Sequence, residues 1–445
     1  MTHPQNGDNG KKSKKARGPR RERLRRELPW GELPRGCDAG NGVLVVNKPA
    51  GVTSHDVVAA IRRLAGTRKV GHAGTLDPLA TGVLVIGVGS ATRLLPYIAG
   101  TEKEYRAGFR FGIGTDTEDS TGQVLRAPGY TPAPGSSAEA EIRRALETQI
   151  GQIWQVPSAF SAKKINGQRA YAAARAGQEV ELAPAQIEIS ALTVCGQARP
   201  GTAAVEVPAP AEGAVPQIRE VPIVDIDVDV VCSAGTYVRA LARDAGRAAG
   251  TEAHMTSLER RRVGGFTLAE ARTIEQLAAE VTASAVSTSA DTTSSRTGEA
   301  ETDNTGEAET DNTGEAETNN TGETETNNTG ETETGNTGET ETGNTEKAET
   351  HATGKTETKN AGKQDTDSLA NPRGTLRLMP PAQAASRALP VVTVTAAQVA
   401  ALRHGQAIQI QECATPVALV DETNNLVAIG VRRGDLIGPK VVFPA

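Results

Sequence analysis

Residues 70–95, VGHAGTLDPLATGVLVIGVGSATRLL, contain the residue types in this chain that are best suited to chemistry. His72 and Asp77 stand five positions apart in a loop rich in small residues, and Pro78 prevents a central strand from continuing there. An aspartic acid is ionised at neutral pH, so it can act as a nucleophile or as a base without a partner that activates it. The alternative interpretation is a turn in which Asp77 only accepts hydrogen bonds from backbone N–H groups.

Other kinds of site lack the residues that they need. No clear second acid accompanies Asp77, as a glycosidase would require, and GVGSAT lacks the third glycine of a dinucleotide-binding loop. The cysteines lie far apart without a CxxC pair, which indicates reduced structural thiols rather than a zinc site or a disulfide framework. These cysteines are Cys37, Cys195, Cys232 and Cys413.

The elements around this loop alternate between strands and helices. The run GVLVVNK from residue 42 predicts a strand that ends in a Lys-Pro-Ala-Gly turn, and Thr53 or Ser54 caps the helix that follows. Residues 82–89 predict a second strand, residues 137–150 a helix, and PIVDIDVDVVC an alternating strand before an amphipathic helix. No regular βαβ rhythm connects them, so the pattern favours an α+β fold with a mixed sheet.

The net charge of −6 conceals an uneven distribution of charge along the chain. Residues 297–344 hold about 14 acidic residues and no Lys or Arg, so the remainder carries about +8. A basic folded body attracts phosphate, which makes nucleic acid the first partner to test, ahead of an acidic protein or a membrane surface. No apolar run approaches the roughly 20 residues of a spanning helix, and the basic N-terminus lacks an apolar signal region, so we expect a cytoplasmic protein without a membrane partner.

Two segments have compositions typical of disorder. Residues 1–40 contain the block KKSKKARGPRRERLRR, which predicts either an arm that adds phosphate affinity or a solubilising tail. Residues 281–374 contain an eight-residue repeat, TGEAETDN, which has no apolar residue larger than alanine and therefore no face to bury. The sequence thus predicts a main folded domain over 41–280, an acidic insertion over 281–374, and over 375–445 the end of that domain with a small β-rich module.

Six segments of the chain resemble the TruB family of tRNA pseudouridine synthases. They occur in the family's order, and together they cover about 200 residues. They read KPAGVTSHDVV, KVGHAGTLDPLATGVLVIGVGSATRLL, KEYRAGFRFGIGTDTEDSTG, PSAFSAKKINGQRAYAAARAG, CSAGTYVRALARDAG and LERRRVGGF. The resemblance implies the pseudouridine synthase fold, with a mixed, mostly antiparallel central sheet. A shorter similarity, anchored on LRHGQAI, implies a PUA-like RNA-binding domain at the C-terminus. The family's linker between the two parts is brief, so the acidic repeat departs from it.

The resemblance implies an isomerase that needs no cofactor. A uridine would flip out of its stack, be cut at its N1–C1′ bond, turn, and be rejoined through C5. Asp77 matches the family's catalytic aspartate, and both attack at C1′ and removal of a 2′-proton stay open as its role. Arg239 matches the arginine that pairs with this carboxylate and orients it, and Tyr105 matches the tyrosine that stacks on the flipped base. Without the resemblance, Arg239 would be interpreted as a helix-surface charge and Tyr105 as a half-buried strand residue.

Further residues match substrate-binding positions of the family. Tyr237 and Leu258 would line the uracil pocket, although core packing explains Leu258 equally well. His72 would contact the flipped-out RNA, and Lys48 is a candidate phosphate contact at the start of the KPAG turn. The other candidates for phosphate contacts are Lys103, Arg106, Lys163, Lys164 and Arg169, each of which could also be a solvated surface charge.

The resemblance therefore implies a monomeric, stand-alone enzyme without a metal or an obligatory protein partner, which acts on the T-loop uridine at position 55 of tRNA. One alternative is a related synthase that requires a guide RNA and protein partners. Another is a protein that binds or folds tRNA and has lost the chemistry. The presence of Asp77, Tyr105 and Arg239 argues against that loss, and PSAFSAKKINGQRAY resembles the stand-alone bacterial branch.

Overall fold

A computed structural model of the chain describes residues 27–158, 164–165, 168–169, 182–207, 217–294, 374–411 and 413–444. The strands are β1 (Gly42–Lys48), β2 (Val70–His72), β3 (Thr81–Val88), β4 (Lys103–Phe111), β5 (Gly114–Thr115), β6 (Val124–Arg126), β7 (Gly151–Gln155), β8 (Lys164–Ile165), β9 (Gln168–Arg169), β10 (Ala185–Val207), β11 (Gln217–Cys232), β12 (Ala253–Val263), β13 (Phe266–Thr267), β14 (Val391–Thr393), β15 (Val417–Val420), β16 (Leu426–Arg433) and β17 (Leu436–Val442). The helices are α1 (Ser54–Leu64), α2 (Leu95–Ala99), α3 (Ala138–Glu147), α4 (Val238–Ala248), α5 (Ile274–Ser294), α6 (Pro381–Ser386) and α7 (Ala396–Arg403), with short 3₁₀ helices at Gly89–Leu94 and Leu268–Glu270.

The central sheet has the strand order β1-β3-β12-β4-β11-β10-β7, with β2 paired to β3 and β13 paired to β12. Every described pairing in this sheet is antiparallel except the short contact between β3 and β12. The predicted α+β fold with a mixed, mostly antiparallel sheet is therefore confirmed. The parallel contact joins residues 81–82 to residues 259–260, next to the Asp77 loop.

The main core lies on the face of the sheet that α1 and α4 cover. On β4 the side chains of Tyr105, Phe109 and Phe111 point into it, while Arg106 and Arg110 on the opposite face pair with aspartates of β11. This alternation follows from the two-residue period of a strand. Thr53 caps the N-terminus of helix α1. Its side chain and backbone exchange hydrogen bonds with Asp56 in a capping box, an arrangement that contributes about 1 kcal/mol to the stability of the helix.

The C-terminal module is a four-stranded sheet with the order β14-β15-β16-β17, together with α6 and α7. A second apolar core joins it to the far face of the central sheet, where Val43 and Val85 pack with Ala418 and Ile429. The predicted β-rich character of this C-terminal part is confirmed. Helix α6 lies against β1, and the shared apolar core includes residues of β3, the strand that follows the Asp77 loop.

The end of the N-terminal segment differs from the expectation that residues 1–40 are disordered. Trp30 is 9% exposed and Leu33 is 7% exposed, and both pack into the main core. Two large apolar side chains explain the difference, because their burial stabilises the chain by roughly 1.5–3 kcal/mol each. The Lys/Arg block of the predicted arm lies within residues 1–26, outside the described residues.

The acidic insertion begins later than the sequence suggested, because α5 continues past residue 281. Val281 is buried, and the Ser284 hydroxyl accepts a 2.8 Å hydrogen bond from the backbone N–H of Thr375. The Gly374 carbonyl accepts a hydrogen bond from the Cys37 N–H, 3.1 Å from nitrogen to oxygen. The folded residues before and after the insertion thus contact each other directly, while residues 295–373 lie outside the described residues. Within the described part, no helix is long and apolar enough to span a membrane.

Replacing residues 288–373 with an eight-residue Gly/Ser linker is expected to leave the thermal unfolding midpoint unchanged or to raise it. Ser284 already contacts Thr375, so a short linker can join the two ends, and a shorter loop has a smaller closure entropy. Differential scanning calorimetry of both proteins measures the effect. A clear fall in the midpoint would show that the replaced residues stabilise the fold.

Candidate active site

The loop that carries Asp77 is fastened to the elements beside it. The Ser54 hydroxyl, at the start of α1, accepts a hydrogen bond from the Leu76 N–H at 2.9 Å and donates one to the Leu76 carbonyl at 3.1 Å. The Pro78 carbonyl accepts a 2.7 Å hydrogen bond from the Gly51 N–H. Backbone groups on both sides of Asp77 are therefore held, and its side chain is left to point away from them.

Lys48 holds the same loop from inside the protein. Its side chain is fully buried, and its Nζ donates to the carbonyls of Pro49 and Val52 at 2.8 Å each and to that of Pro78 at 3.4 Å. The expectation of a phosphate contact at Lys48 is therefore not met, because a buried ammonium that donates to three carbonyls cannot also reach a phosphate at the surface. Lys48 instead ties the KPAG turn to the Asp77 loop.

Arg239, in the first turn of α4, reaches the Asp77 carboxylate. Its Nε lies 2.9 Å from Asp77 Oδ2, and its Nη1 donates to the Thr117 carbonyl at 2.8 Å and to Ser158 Oγ at 3.1 Å. The Arg239 side chain is 6% exposed, whereas that of Asp77 is 37% exposed. The guanidinium is thus closed off from solvent while the carboxylate remains accessible to a ligand.

Asp119 is a second carboxylate at this guanidinium, and sequence reasoning missed it. Its Oδ2 lies 3.8 Å from Arg239 Nε, and its Oδ1 accepts hydrogen bonds from the Thr117 hydroxyl and from the N–H and hydroxyl of Thr121. The residue lies in TDTEDSTG, where closely spaced Asp, Thr and Ser residues were the available signal. Arg239 therefore stands between two acids, of which Asp119 is buried.

One cavity of about 290 Å³ brings the predicted residues together. Six of the twelve residues singled out in the sequence line it: Asp77, Lys103, Tyr105, Tyr237, Arg239 and Leu258. They come from a loop, from β4 and β12, and from the start of α4, so the sheet and α4 together form the cavity. The volume is near the lower end of the range for ligand pockets, which suits a small, flat molecule rather than an extended one.

Tyr105 and Tyr237 form polar parts of the cavity wall. Tyr105 is 8% exposed, and burial raises the pKa of its phenol, so the hydroxyl stays protonated and can donate a hydrogen bond at neutral pH. The backbone of Tyr237 is held by Gln155, whose side chain accepts from the Tyr237 N–H at 2.9 Å and donates to its carbonyl at 3.1 Å. The Tyr237 ring is therefore attached to a backbone that two hydrogen bonds hold in place, and the Tyr105 ring is attached to strand β4.

Arg260 lines the cavity as a fully buried cation that sequence reasoning also missed. Its Nε donates to the Val83 carbonyl at 2.8 Å, and its Nη2 donates to that of Gly74 at 3.1 Å, so it holds both ends of the Asp77 loop. Gly82 crosses directly over it, because a Cβ at that position would lie 2.2 Å from the Arg260 carbonyl oxygen. The available signal was strand alternation in LERRRV, which places Arg260, the first of the three arginines, on the same face as Leu258 and opposite to Glu259 and Arg261.

Lys103 adds another cation to the wall of the cavity. Burial, with a smaller effect from the Arg260 guanidinium, lowers the pKa of Lys103 from 10.5 to about 8. Its Nζ donates to the carbonyls of Ala99 and Thr101. Lys103 and Arg106 were candidates for phosphate contacts, but both side chains are engaged within the protein. Lys103 is buried, and Arg106 forms a bidentate pair with Asp229. The candidates Lys163, Lys164 and Arg169 have side chains outside the described residues.

His72 lies next to the cavity but is not among the residues that line it. Its ring meets that of His55 edge-on, with 5.7 Å between the ring centroids. Burial, and then the charges of His55 and Arg260, lower the pKa of His72 below 6.5. The imidazole is therefore neutral at pH 7, which suits stacking or hydrogen bonding better than contact with phosphate as a cation.

The arrangement places one accessible carboxylate in a cavity whose walls carry three buried cations. Asp77 can act as a nucleophile or as a base, and Arg239 fixes the direction of its carboxylate. Lys103 and Arg260 favour negative charge that develops on a bound molecule. Among the described residues, no group of His, Cys, Asp or Glu is arranged to hold a metal ion.

Comparison with known proteins gives matches over the residues that form this site. Residues 62–238 match the TruB family pseudouridylate synthase N-terminal domain, and residues 239–292 match the tRNA pseudouridylate synthase B C-terminal domain. The tRNA pseudouridine synthase B of Arthrobacter sp. (strain FB24) is 49% identical over 54% of this chain and 72% of its own length. That of Thermobifida fusca (strain YX) is 50% identical over 54% of this chain and 76% of its own. A solved Cbf5-Nop10-Gar1 complex has a chain with 19% identity and a TM-score of 0.49, over 91% of this chain and 85% of that chain.

The depressed pKa of Lys103 predicts a pH dependence of stability. Between about pH 8 and pH 10.5 the unfolded chain binds more protons than the folded one, so this residue makes the free energy of unfolding rise with pH. Below pH 8 both states are protonated, and the cost of burying the charge is constant. The free energy of unfolding of the wild type, measured by urea titration relative to Lys103→Met, is expected to increase as pH rises from 8 to 10. A difference that stays constant would contradict the assigned pKa.

Proposed function

The chain belongs to the TruB family of pseudouridylate synthases, and we propose that it converts the T-loop uridine at position 55 of tRNA to pseudouridine. Relatives that are about half identical are named tRNA pseudouridine synthase B, so the chain is a tRNA pseudouridine synthase, an isomerase. The observation that carries the assignment to this site is the 2.9 Å pair between Asp77 and Arg239 in the wall of the cavity.

The reaction is an isomerisation, so it gains and loses no atoms overall. The bond between N1 of uracil and C1′ of the ribose breaks, the base turns, and a bond forms between C5 and C1′. A proton leaves C5 and N1 gains one, which balances the change without an oxidant or a reductant. The cavity holds a carboxylate and protonated donors, which are the groups that this sequence of steps requires.

Asp77 is proposed as the catalytic carboxylate. It either attacks C1′ and holds the sugar as an ester while the base turns, or it removes the 2′-proton to give a glycal intermediate. Both routes need an ionised, oriented carboxylate that a ligand can reach, and both are compatible with a guanidinium that contacts Oδ2 while the Asp77 side chain stays 37% exposed. Negative charge on the departing uracil would be favoured by Lys103 and Arg260.

The remaining cavity residues are proposed to bind the flipped base. Unstacking a base costs a few kcal/mol, which contacts with the ring faces and polar edge must offset. Tyr105 offers a ring for stacking, worth about 1–3 kcal/mol, while Tyr237 and Leu258 close the pocket around the base. His72, outside the pocket beside His55, is proposed to contact the RNA that surrounds the flipped nucleotide.

Two alternatives make different predictions from a stand-alone enzyme. A guide-dependent synthase needs an added guide RNA and protein partners, and a non-catalytic binding protein leaves uridine unchanged. The assembled Asp77–Arg239 pair favours an enzyme, and the relatives named tRNA pseudouridine synthase B favour tRNA as its substrate. We propose that it acts as a monomer on the T-arm in the cytoplasm, with the C-terminal module as an additional RNA-binding surface.

Asp77→Asn is expected to abolish conversion and to leave RNA binding within about threefold of the wild type. Asparagine keeps the shape of the side chain but is neither a nucleophile nor a base, and Asp119 still balances the charge of Arg239, so the fold is retained. The assay incubates purified protein with an unmodified T-arm hairpin, with no added RNA or protein, and quantifies pseudouridine.

Glu147→Gln is the matched control, because this carboxylate is exposed at the end of α3 and is not among the residues that line the cavity. It is expected to convert the hairpin at the wild-type rate. Substantial activity in Asp77→Asn would reject the catalytic role of Asp77. No conversion by the wild type would reject the stand-alone function, and recovery on addition of guide RNA and partner proteins would favour the guide-dependent alternative.

Asp119→Asn is expected to slow single-turnover conversion by about 10- to 100-fold with little change in hairpin affinity. Without its second anion, Arg239 is held less firmly, and the direction of the Asp77 carboxylate is less well fixed. Rapid-quench measurement at saturating protein isolates this step from binding. An unchanged rate would show that Asp77 alone is sufficient to orient the guanidinium.

A further inference from the structure

Helix α4 carries a second buried arginine, Arg243, one turn after Arg239. Residues four positions apart lie on the same face of a helix, so both side chains leave α4 in the same direction. The Arg243 side chain is 12% exposed, and its Nη1 donates to Oε1 of Glu118, whose side chain is also 12% exposed. Within the described part of the chain, Oε2 of Glu118 has no hydrogen-bond partner, so its carboxylate depends on this arginine.

The residues that Arg243 holds are chain neighbours of those that surround Arg239. Glu118 stands between Thr117 and Asp119, which supply a carbonyl and a carboxylate to the Arg239 guanidinium. Arg243 Nη2 also donates to the Val156 carbonyl at 3.0 Å, on the segment that carries Ser158. One side chain therefore fastens two of the three segments whose atoms contact Arg239, the third being the Asp77 loop.

Glu118 has a backbone conformation that residues other than glycine rarely adopt, so its contacts must hold it there. The φ of Glu118 is +61°. Among the described residues, Asn424, with a φ of +62°, is the only other non-glycine residue in the left-handed region. Such a conformation persists when the surrounding contacts determine it. Met255 provides the backbone part, because its N–H donates to the Glu118 carbonyl at 3.0 Å and its carbonyl accepts from Ser120. Arg243 provides the side-chain part.

We propose that Arg243 is a positioning residue for the reaction: by holding Glu118 and the Val156 carbonyl, it places Thr117, Asp119 and Ser158 around Arg239 and so sets the direction of the Asp77 carboxylate. It acts through Arg239, because it is not among the residues that line the cavity. The catalytic consequence rests on the proposed function, whereas the effect on Arg239 does not.

The first test follows Arg239 directly and needs no substrate. Protein labelled with ¹⁵N-arginine gives a signal for the Arg239 Nε–H, which is assigned by its absence in Arg239→Lys. Exchange of this proton with water is expected to become at least about tenfold faster in Arg243→Met, because the guanidinium loses its fixed surroundings. Arg247→Met is the matched control, since Arg247 follows one turn later on α4 with a side chain that is 64% exposed. Its spectrum is expected to show wild-type exchange at Arg239.

The second test measures conversion of the T-arm hairpin. Arg243→Met is expected to lower the single-turnover rate by about tenfold at saturating protein, with hairpin affinity within about twofold of the wild type. Arg243→Lys, which keeps a donor and a charge, is expected to recover part of the rate. Glu118→Gln combined with Arg243→Met is expected to be no slower than Arg243→Met alone, because both changes break the same contact.

The outcomes separate the two proposals. Unchanged exchange at Arg239 in both Arg243→Met and Arg243→Lys, with both proteins folded by circular dichroism, would overturn the positioning role. An unchanged conversion rate in Arg243→Met would overturn its catalytic consequence. A wild-type protein that does not convert the hairpin would reject the proposed function, while faster exchange at Arg239 would still support the positioning role.

Discussion

The ion pair between Arg239 and Asp77 is the contact on which the rest of the site depends. A guanidinium withdrawn from water is stable only where nearby groups balance its charge and accept its hydrogen bonds. Here those groups come from the Asp77 loop, from the segment that contains Asp119, and from the residues after β7. Burial of the Arg239 side chain therefore requires three segments that are remote in the chain to pack together. The same packing holds the accessible Asp77 carboxylate in the wall of the cavity.

The two buried cations behind the Asp77 loop have a different kind of partner. Lys48 and Arg260 donate to backbone carbonyls, including those of Pro78 and Gly74 on either side of Asp77. Because these hydrogen bonds use carbonyls rather than carboxylates, the loop is braced without a second cation competing for the Asp77 side chain. The same arrangement keeps positive charge near the cavity, where a negatively charged intermediate can use it.

Sequence reasoning predicted the fold class and singled out six residues that the structure brings to one cavity. Strands β1, β3 and β11 and helix α1 followed from periodicity, because local patterning determines them, whereas β7, β10 and β12 were not predicted. The partnership of Asp77 with Arg239 came from the family resemblance, since no local rule joins residues so far apart in the chain. Asp119 and Arg260 were missed for the same reason, and Lys48 was misplaced because a surface charge and a buried donor to carbonyls have the same sequence signature.

The contacts of Ser284 with Thr375 and of Cys37 with Gly374 bear on how the repeat segment between them can change in length. Tandem repeats in a gene expand and contract in whole units, and a change in length is tolerated where the two ends of the inserted segment are held close together. In this protein the hydrogen bonds between Ser284 and Thr375, and between Cys37 and Gly374, close the fold behind the repeat tract. A change in the number of repeats would therefore alter the length of chain between two anchored ends, while the hydrogen bonds that hold those ends stay the same.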